Sequence, residues 1–99
     1  MVAANETIIE TLGRHKKEIL ERFSVESLAV FGSVSRGSAG PESDVDILVR
    51  YRATPTIFQF LDLKQFIEGI VGRRVDLVTE AALKKQLREK ILKEAVVVS

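Results

Sequence analysis

The chain has 99 residues, 45% of them apolar and 29% charged, with a formal net charge of +1, an ordinary balance for one globular domain, here residues 1–99, built around one core. So small a net charge supplies no general attraction to nucleic acid or to an anionic membrane, and the absence of cysteine excludes a disulfide framework and a thiolate zinc site. No apolar run approaches the roughly 20 residues that span a bilayer, and the opening "MVAANETIIE" lacks the basic and apolar regions of a signal peptide, so the chain reads as a soluble protein of the cytoplasm.

From about Asn5 to Phe23, Ile8, Ile9, Leu12, Ile19, Leu20 and Phe23 recur near a 3.6-residue period among charged residues, which predicts one amphipathic helix. His15 is expected on its solvent face. "SLAVFG", Ser27 to Gly32, is a short apolar run closed by glycine and reads as a buried strand. "SVSRGSAGPES" is a loop by composition, with a helical turn near Ser35 and a plain turn at Gly40-Pro41. "DVDILVRY", Asp44 to Tyr51, is a second strand with Val45, Ile47 and Val49 on one face and Asp44, Asp46 and Leu48 on the other.

Thr54 is placed to cap the next helix, with Pro55 in its first turn and Gly72 as its stop. This helix is apolar over more than one face (Ile57, Phe58, Leu61, Leu63, Phe66, Ile67), which fits either deep burial or an exposed patch that docks a partner or a second copy. "RRVDLV", Arg73 to Val78, is a third strand whose lone acid is Asp76. Thr79 opens a last helix through about Glu94, whose lysines and arginines read as a solvated face, and "AVVVS" is a short strand or tail. Only a loop joins the first two strands, so they pair antiparallel. A helix joins the second and third, so they lie parallel by a right-handed crossover. The fold class is therefore α/β (α+β): a small mixed sheet with helices packed on it.

Asp44, Asp46 and Asp76 put three carboxylates on apolar strands. Two of them project from one face of a strand, where like charges repel unless something positive lies between them. Oxygen-only ligands suit hard cations such as Mg²⁺ or Mn²⁺, and two such ions about 3.5–4 Å apart clamp an in-line displacement at phosphorus. Upstream, Gly32 lets backbone N–H groups approach an anion, Ser33 adds a hydroxyl donor, and Arg36 could add a charged contact or remain a solvated loop residue. A phosphate cradle beside metal carboxylates points to a nucleoside triphosphate. The bland alternatives are a solvent-facing acid pair at a strand end and a surface ion pair between Asp76 and Arg73 or Arg74.

Gly32-Ser33, ten residues, then Asp44-Val45-Asp46 resembles the signature of the DNA polymerase β-like nucleotidyltransferases, and "GSVSRG", "SDVDILV" and "RRVDLV" resemble their minimal branch. The resemblance runs from the first helix to "ILKEAV" and implies the nucleotidyltransferase fold, similar to the palm of polymerase β. By position it implies that Gly32 and Ser33 bind the triphosphate, with Arg36 where many minimal members carry arginine. It implies that Asp44 and Asp46 hold two metal ions, Mg²⁺ or alternatively Mn²⁺, and that Asp76 helps bind the catalytic ion and takes the acceptor's proton. The implied activity is transfer of AMP from ATP to a hydroxyl, a tyrosine of a HEPN-domain ribonuclease toxin, with the chain as its antitoxin in a hetero- or homo-oligomer and no direct contact with nucleic acid. Two other readings are an antitoxin that masks the toxin stoichiometrically and a nucleotidyltransferase of RNA or a small molecule.

Overall fold

The computed structural model describes residues 4–32 and 44–98; Ser33, Ser35, Arg36, Gly37, Gly40 and Pro41, with the turns expected among them, lie outside that range. In chain order the elements are α1 (Ala4–Arg14), α2 (Lys16–Arg22), β1 (Val25–Phe31), β2 (Val45–Tyr51), α3 (Ile57–Val71), β3 (Val75–Thr79), a 3₁₀ turn (Glu80–Ala82), α4 (Lys85–Glu94) and β4 (Val96–Val97). The strands form one mixed sheet in the order β3-β2-β1-β4. As the connections require, β1 and β2 pair antiparallel and β2 and β3 parallel.

Alternation along each strand decides what the sheet buries. Val45, Ile47 and Val49 of β2, Val75 and Leu77 of β3, and Leu28 and Val30 of β1 join Ile8 and Leu12 of α1, Ile19 of α2 and Leu63 and Ile67 of α3 in one core cluster. Fully burying each such side chain is worth about 1.5–3 kcal/mol, enough to hold these helices on that face. The intervening residues then face the other way.

Three features differ from the sequence reading. The first helix is two, divided at His15, whose backbone (φ −101°, ψ 3°) leaves the helical range. Its N–H is shared between the carbonyls of Thr11 (3.3 Å) and Leu12 (3.2 Å), and its Nδ1 donates to the Thr11 carbonyl at 2.9 Å. His15 is thus a half-buried hinge residue standing edge-on to Phe66, their centroids 6.3 Å apart, and not a solvent-facing one.

Second, the cap of α3 is Thr56. It forms a reciprocal capping box with Gln59: the Thr56 hydroxyl accepts from the Gln59 N–H at 3.1 Å, and the Thr56 N–H donates to Gln59 Oε1 at 2.9 Å. Thr54 offers no such partner three residues on, and Pro55 holds it extended. Gly72 ends α3 as expected, in the left-handed conformation at φ 68°. Third, Thr79 pairs with Val49 as the last residue of β3, so the following helix begins only at Lys85.

The two-sided apolar character of α3 is also resolved. Leu63 and Ile67 enter the core, while Ile57, Phe58 and Leu61 of its first turns are exposed, Phe58 to 76%. Among the described residues, no helix is long and apolar enough to cross a membrane.

Candidate active site

The face of the sheet turned away from α1, α2 and α3 carries Asp46 and Asp76. Asp46 of β2 stands level with Asp76 of β3 in the parallel register, and with Phe31 of β1 on its other side. Neighbouring strands lie about 4.8 Å apart; Asp44, expected as the first residue of this strand, instead immediately precedes it, since β2 begins at Val45. Asp44 and Asp76 are exposed and Asp46 is half-buried. The main chain holds this end of the sheet firmly: Val45 N–H donates to the Arg74 carbonyl at 2.9 Å, and the Glu68 carboxylate of α3 accepts from the Val75 N–H at 3.0 Å.

Gly32, directly after β1, has φ 71°, a conformation that only glycine adopts without strain. It is also required by space. A Cβ placed there would overlap the Asp46 carboxylate, coming 3.2 Å from its Cγ. The bare backbone of the Gly32 turn and the Asp46 carboxylate therefore lie against each other, which sets the start of the Gly-Ser loop beside the acids. Ser33 and Arg36 lie outside the described residues.

Among the described residues, no three carboxylate or imidazole groups gather closely enough to form a finished metal seat. The donors nonetheless fit Mg²⁺ or Mn²⁺ in chemistry, all being carboxylate oxygens: Asp46 and Asp76 lie level on neighbouring strands, Asp44 immediately precedes β2, and the Gly32 backbone lies against the Asp46 carboxylate.

The opposite end of this face carries an ion pair that local sequence patterns do not show, between Arg50 and Glu80. Arg50 donates to Glu80 through Nε (to Oε2, 2.7 Å) and Nη2 (to Oε1, 2.7 Å). Arg88 of α4 donates to the same Oε1 at 2.6 Å. Glu80 is nearly enclosed, its side chain 10% exposed, and the Arg50 hydrogen bonds, with Arg88 adding, hold its carboxyl below the ordinary 4.5 against the opposing effect of burial. A signal for this pair exists in the sequence: Arg50 follows Asp46, and Glu80 follows Asp76, by the same four residues.

Beside this pair a cleft of about 590 Å³ is lined by Tyr51, Pro55, Ile57, Phe60, Glu80 and Ala81. The Tyr51 hydroxyl is buried with no hydrogen-bond partner among the described residues, and burial pushes the phenol above its ordinary 10.0. The cleft lies at the C-terminal ends of β2 and β3, about 13 Å along the strands from the aspartates, so it is not where their chemistry would occur.

Residues 12–98 match the family of the nucleotidyltransferase domain. The chain is 44% identical over 93 residues to protein adenylyltransferase MntA of Thermococcus cleftensis, a match spanning 94% of each. Among solved structures it is similar to one described as a minimal nucleotidyltransferase, at 38% identity and TM-score 0.77, over 89% of this chain and 93% of that one. The fold also matches a chain of a toxin–antitoxin crystal structure with AMP-PNP (21% identity, TM-score 0.74, 88% of this chain and 72% of that one). A further match is in the complex of a tri-AMPylated Shewanella oneidensis HEPN toxin with its MNT antitoxin (18% identity, TM-score 0.67, 92% and 71%).

Proposed function

This chain belongs to the nucleotidyltransferase domain family, among its protein adenylyltransferases, and from that premise we propose that it transfers AMP from ATP to a tyrosine hydroxyl of a HEPN-domain ribonuclease toxin and so acts as an antitoxin. The observation that carries the reading is the level pairing of Asp46 with Asp76 beside a glycine whose missing side chain accommodates the Asp46 carboxylate. Support for the partner and nucleotide comes from the structures that share the fold, one with AMP-PNP and one with an AMP-modified HEPN toxin.

In this reading the acceptor oxygen attacks the α-phosphorus of ATP, the bond to the bridging oxygen of the β-phosphate breaks, and pyrophosphate leaves. Gly32 and Ser33 seat the triphosphate through backbone and hydroxyl donors, and Arg36 adds a charge-assisted contact. Asp76 accepts the proton of the attacking hydroxyl. Asp44, Asp46 and Asp76 would hold two Mg²⁺ ions, with Mn²⁺ as a substitute. Such ions, when bound, lower the pKa of an acceptor hydroxyl and neutralise a departing pyrophosphate.

The exposed Ile57, Phe58 and Leu61 favour a second contribution, in which binding alone masks the toxin. One experiment separates the two. The chain is incubated with its partner toxin, Mg²⁺ and ATP, the toxin is weighed by mass spectrometry and its ribonuclease activity is followed. Mass gain in AMP increments, abolished by Asp46→Asn together with neutralisation, supports transfer. Neutralisation without mass gain, undiminished in Asp46→Asn, overturns it in favour of masking.

A further inference from the structure

We propose that Arg50 and Glu80 form a register clamp that positions Asp76 opposite Asp46; the functional part of this inference rests on the transfer reading above. The need for a clamp follows from the pattern of β2 and β3. Their parallel ladder has five residue pairs, Val45 with Val75 through Val49 with Thr79. A one-residue slip is forbidden, because it would turn Asp76 into the core and Leu77 out of it.

A two-residue slip is different. Core-facing positions would still meet core-facing positions, and apolar burial would change little. Asp76 would nevertheless move about 6.5 Å from the level of Asp46. The acids themselves favour the slip that sets Asp76 level with Leu48, since two carboxylates at the same level of neighbouring strands repel.

The charges at the other end oppose it. On the face turned away from α1, α2 and α3, β2 presents Asp46, Leu48 and Arg50, and β3 presents Asp76 and Val78, with Glu80 following at the start of the 3₁₀ turn. The planar guanidinium meets both Glu80 oxygens at 2.7 Å, a two-point contact that fixes distance and orientation together. A two-residue slip would set Glu80, 10% exposed, level with Leu48 in one direction and with Arg52, one residue past the end of β2, in the other, and in either the two-point contact to Arg50 is lost. Glu68 holds the first amide of β3 from the helix side; the clamp holds the last level from the acid side. Arg50 and Glu80 are therefore positioning residues about 13 Å from the acids they align, whereas Arg88, which reaches Glu80 from α4, ties down the helix and leaves the register to the other two.

The test uses the full chain with three substitutions: Glu80→Ala, Arg50→Lys, which keeps the charge but loses the fork, and Arg88→Ala. Amide hydrogen exchange across residues 75–79 is measured with global stability, and AMP transfer to the toxin is followed kinetically. Glu80→Ala and Arg50→Lys should speed exchange in β3 at least ten-fold beyond what their change in global stability explains. Both should also lower kcat at least ten-fold while KM for ATP stays within two-fold. Arg88→Ala should leave β3 exchange and kcat within two-fold of the parent. If Glu80→Ala does not fold, Arg50→Lys alone decides. Unchanged β3 exchange in a folded clamp variant, or a loss of kcat in Arg88→Ala equal to that in the others, overturns the clamp. A parent chain that transfers no AMP overturns the transfer reading, and the exchange measurements then decide the clamp by themselves.

Discussion

Substituting Gly32 by alanine separates backbone strain from displacement of a catalytic group, because the fold contains its own control. Gly32 and Gly72 both have positive φ, 71° and 68°. Alanine at either position carries the left-handed penalty of about 1–2 kcal/mol, which for a chain of this length lowers Tm by roughly 4–8 °C per kcal/mol. The surroundings differ. A Cβ at Gly72 meets nothing within 4 Å, whereas at Gly32 it overlaps the Asp46 carboxylate.

That carboxylate is the mobile end of a side chain, so it swings aside at little further cost to folding. Misplacing a reacting group by about 1 Å costs on the order of a hundred-fold in rate, or about 2.7 kcal/mol of barrier. Gly32→Ala and Gly72→Ala should therefore lose similar stability in urea unfolding, while AMP transfer to the toxin falls about a hundred-fold in the first and changes less than three-fold in the second. Equal transfer rates in the two variants would refute the assignment of Gly32 and Asp46 to one constellation.

Other expectations concern charge and burial. Asp46→Asn should abolish AMP transfer while unfolding stability stays within about 1 kcal/mol of the parent; a larger loss of stability would show that Asp46 is chiefly structural. Because Arg50 and Arg88 hold the Glu80 carboxyl below its ordinary 4.5, its contribution is fully present above that value and is lost as the pH falls through the depressed folded value. Urea midpoints between pH 7 and 3 should accordingly fall less steeply below pH 4.5 in Glu80→Gln than in the parent, with parallel curves above about pH 6. Tyr51→Phe removes a buried hydroxyl that has no hydrogen-bond partner among the described residues, so thermal unfolding should show no loss, or a gain of up to about 1 kcal/mol; a clear loss would reveal a partner for that hydroxyl.

The places where the sequence reading and the structure part company share a cause. His15 divides a helix whose apolar period runs on undisturbed, because the break is made by its ring and main chain bonding to the preceding turn, which periodicity does not register. Thr54 and Thr56 are both plausible caps by residue type, and the reach of Gln59 selects Thr56. Glu80 follows Val78-Thr79 and precedes Ala81-Ala82 in the chain, and its enclosure by Arg50, thirty positions earlier, becomes visible only once two strands are side by side.

Local rules were enough to place Val45, Ile47 and Val49 of β2 on one face and Asp46 and Leu48 on the other, to end α3 at Gly72, and to mark Gly32 as a turn that approaches something closely, because alternation, caps and turns depend on near neighbours along the chain. Which level of β3 meets Asp46, and which group fills the space left bare at Gly32, depended instead on contacts between segments far apart in sequence. A strand's own residues determine its two faces, but its register is set by the partner it pairs with.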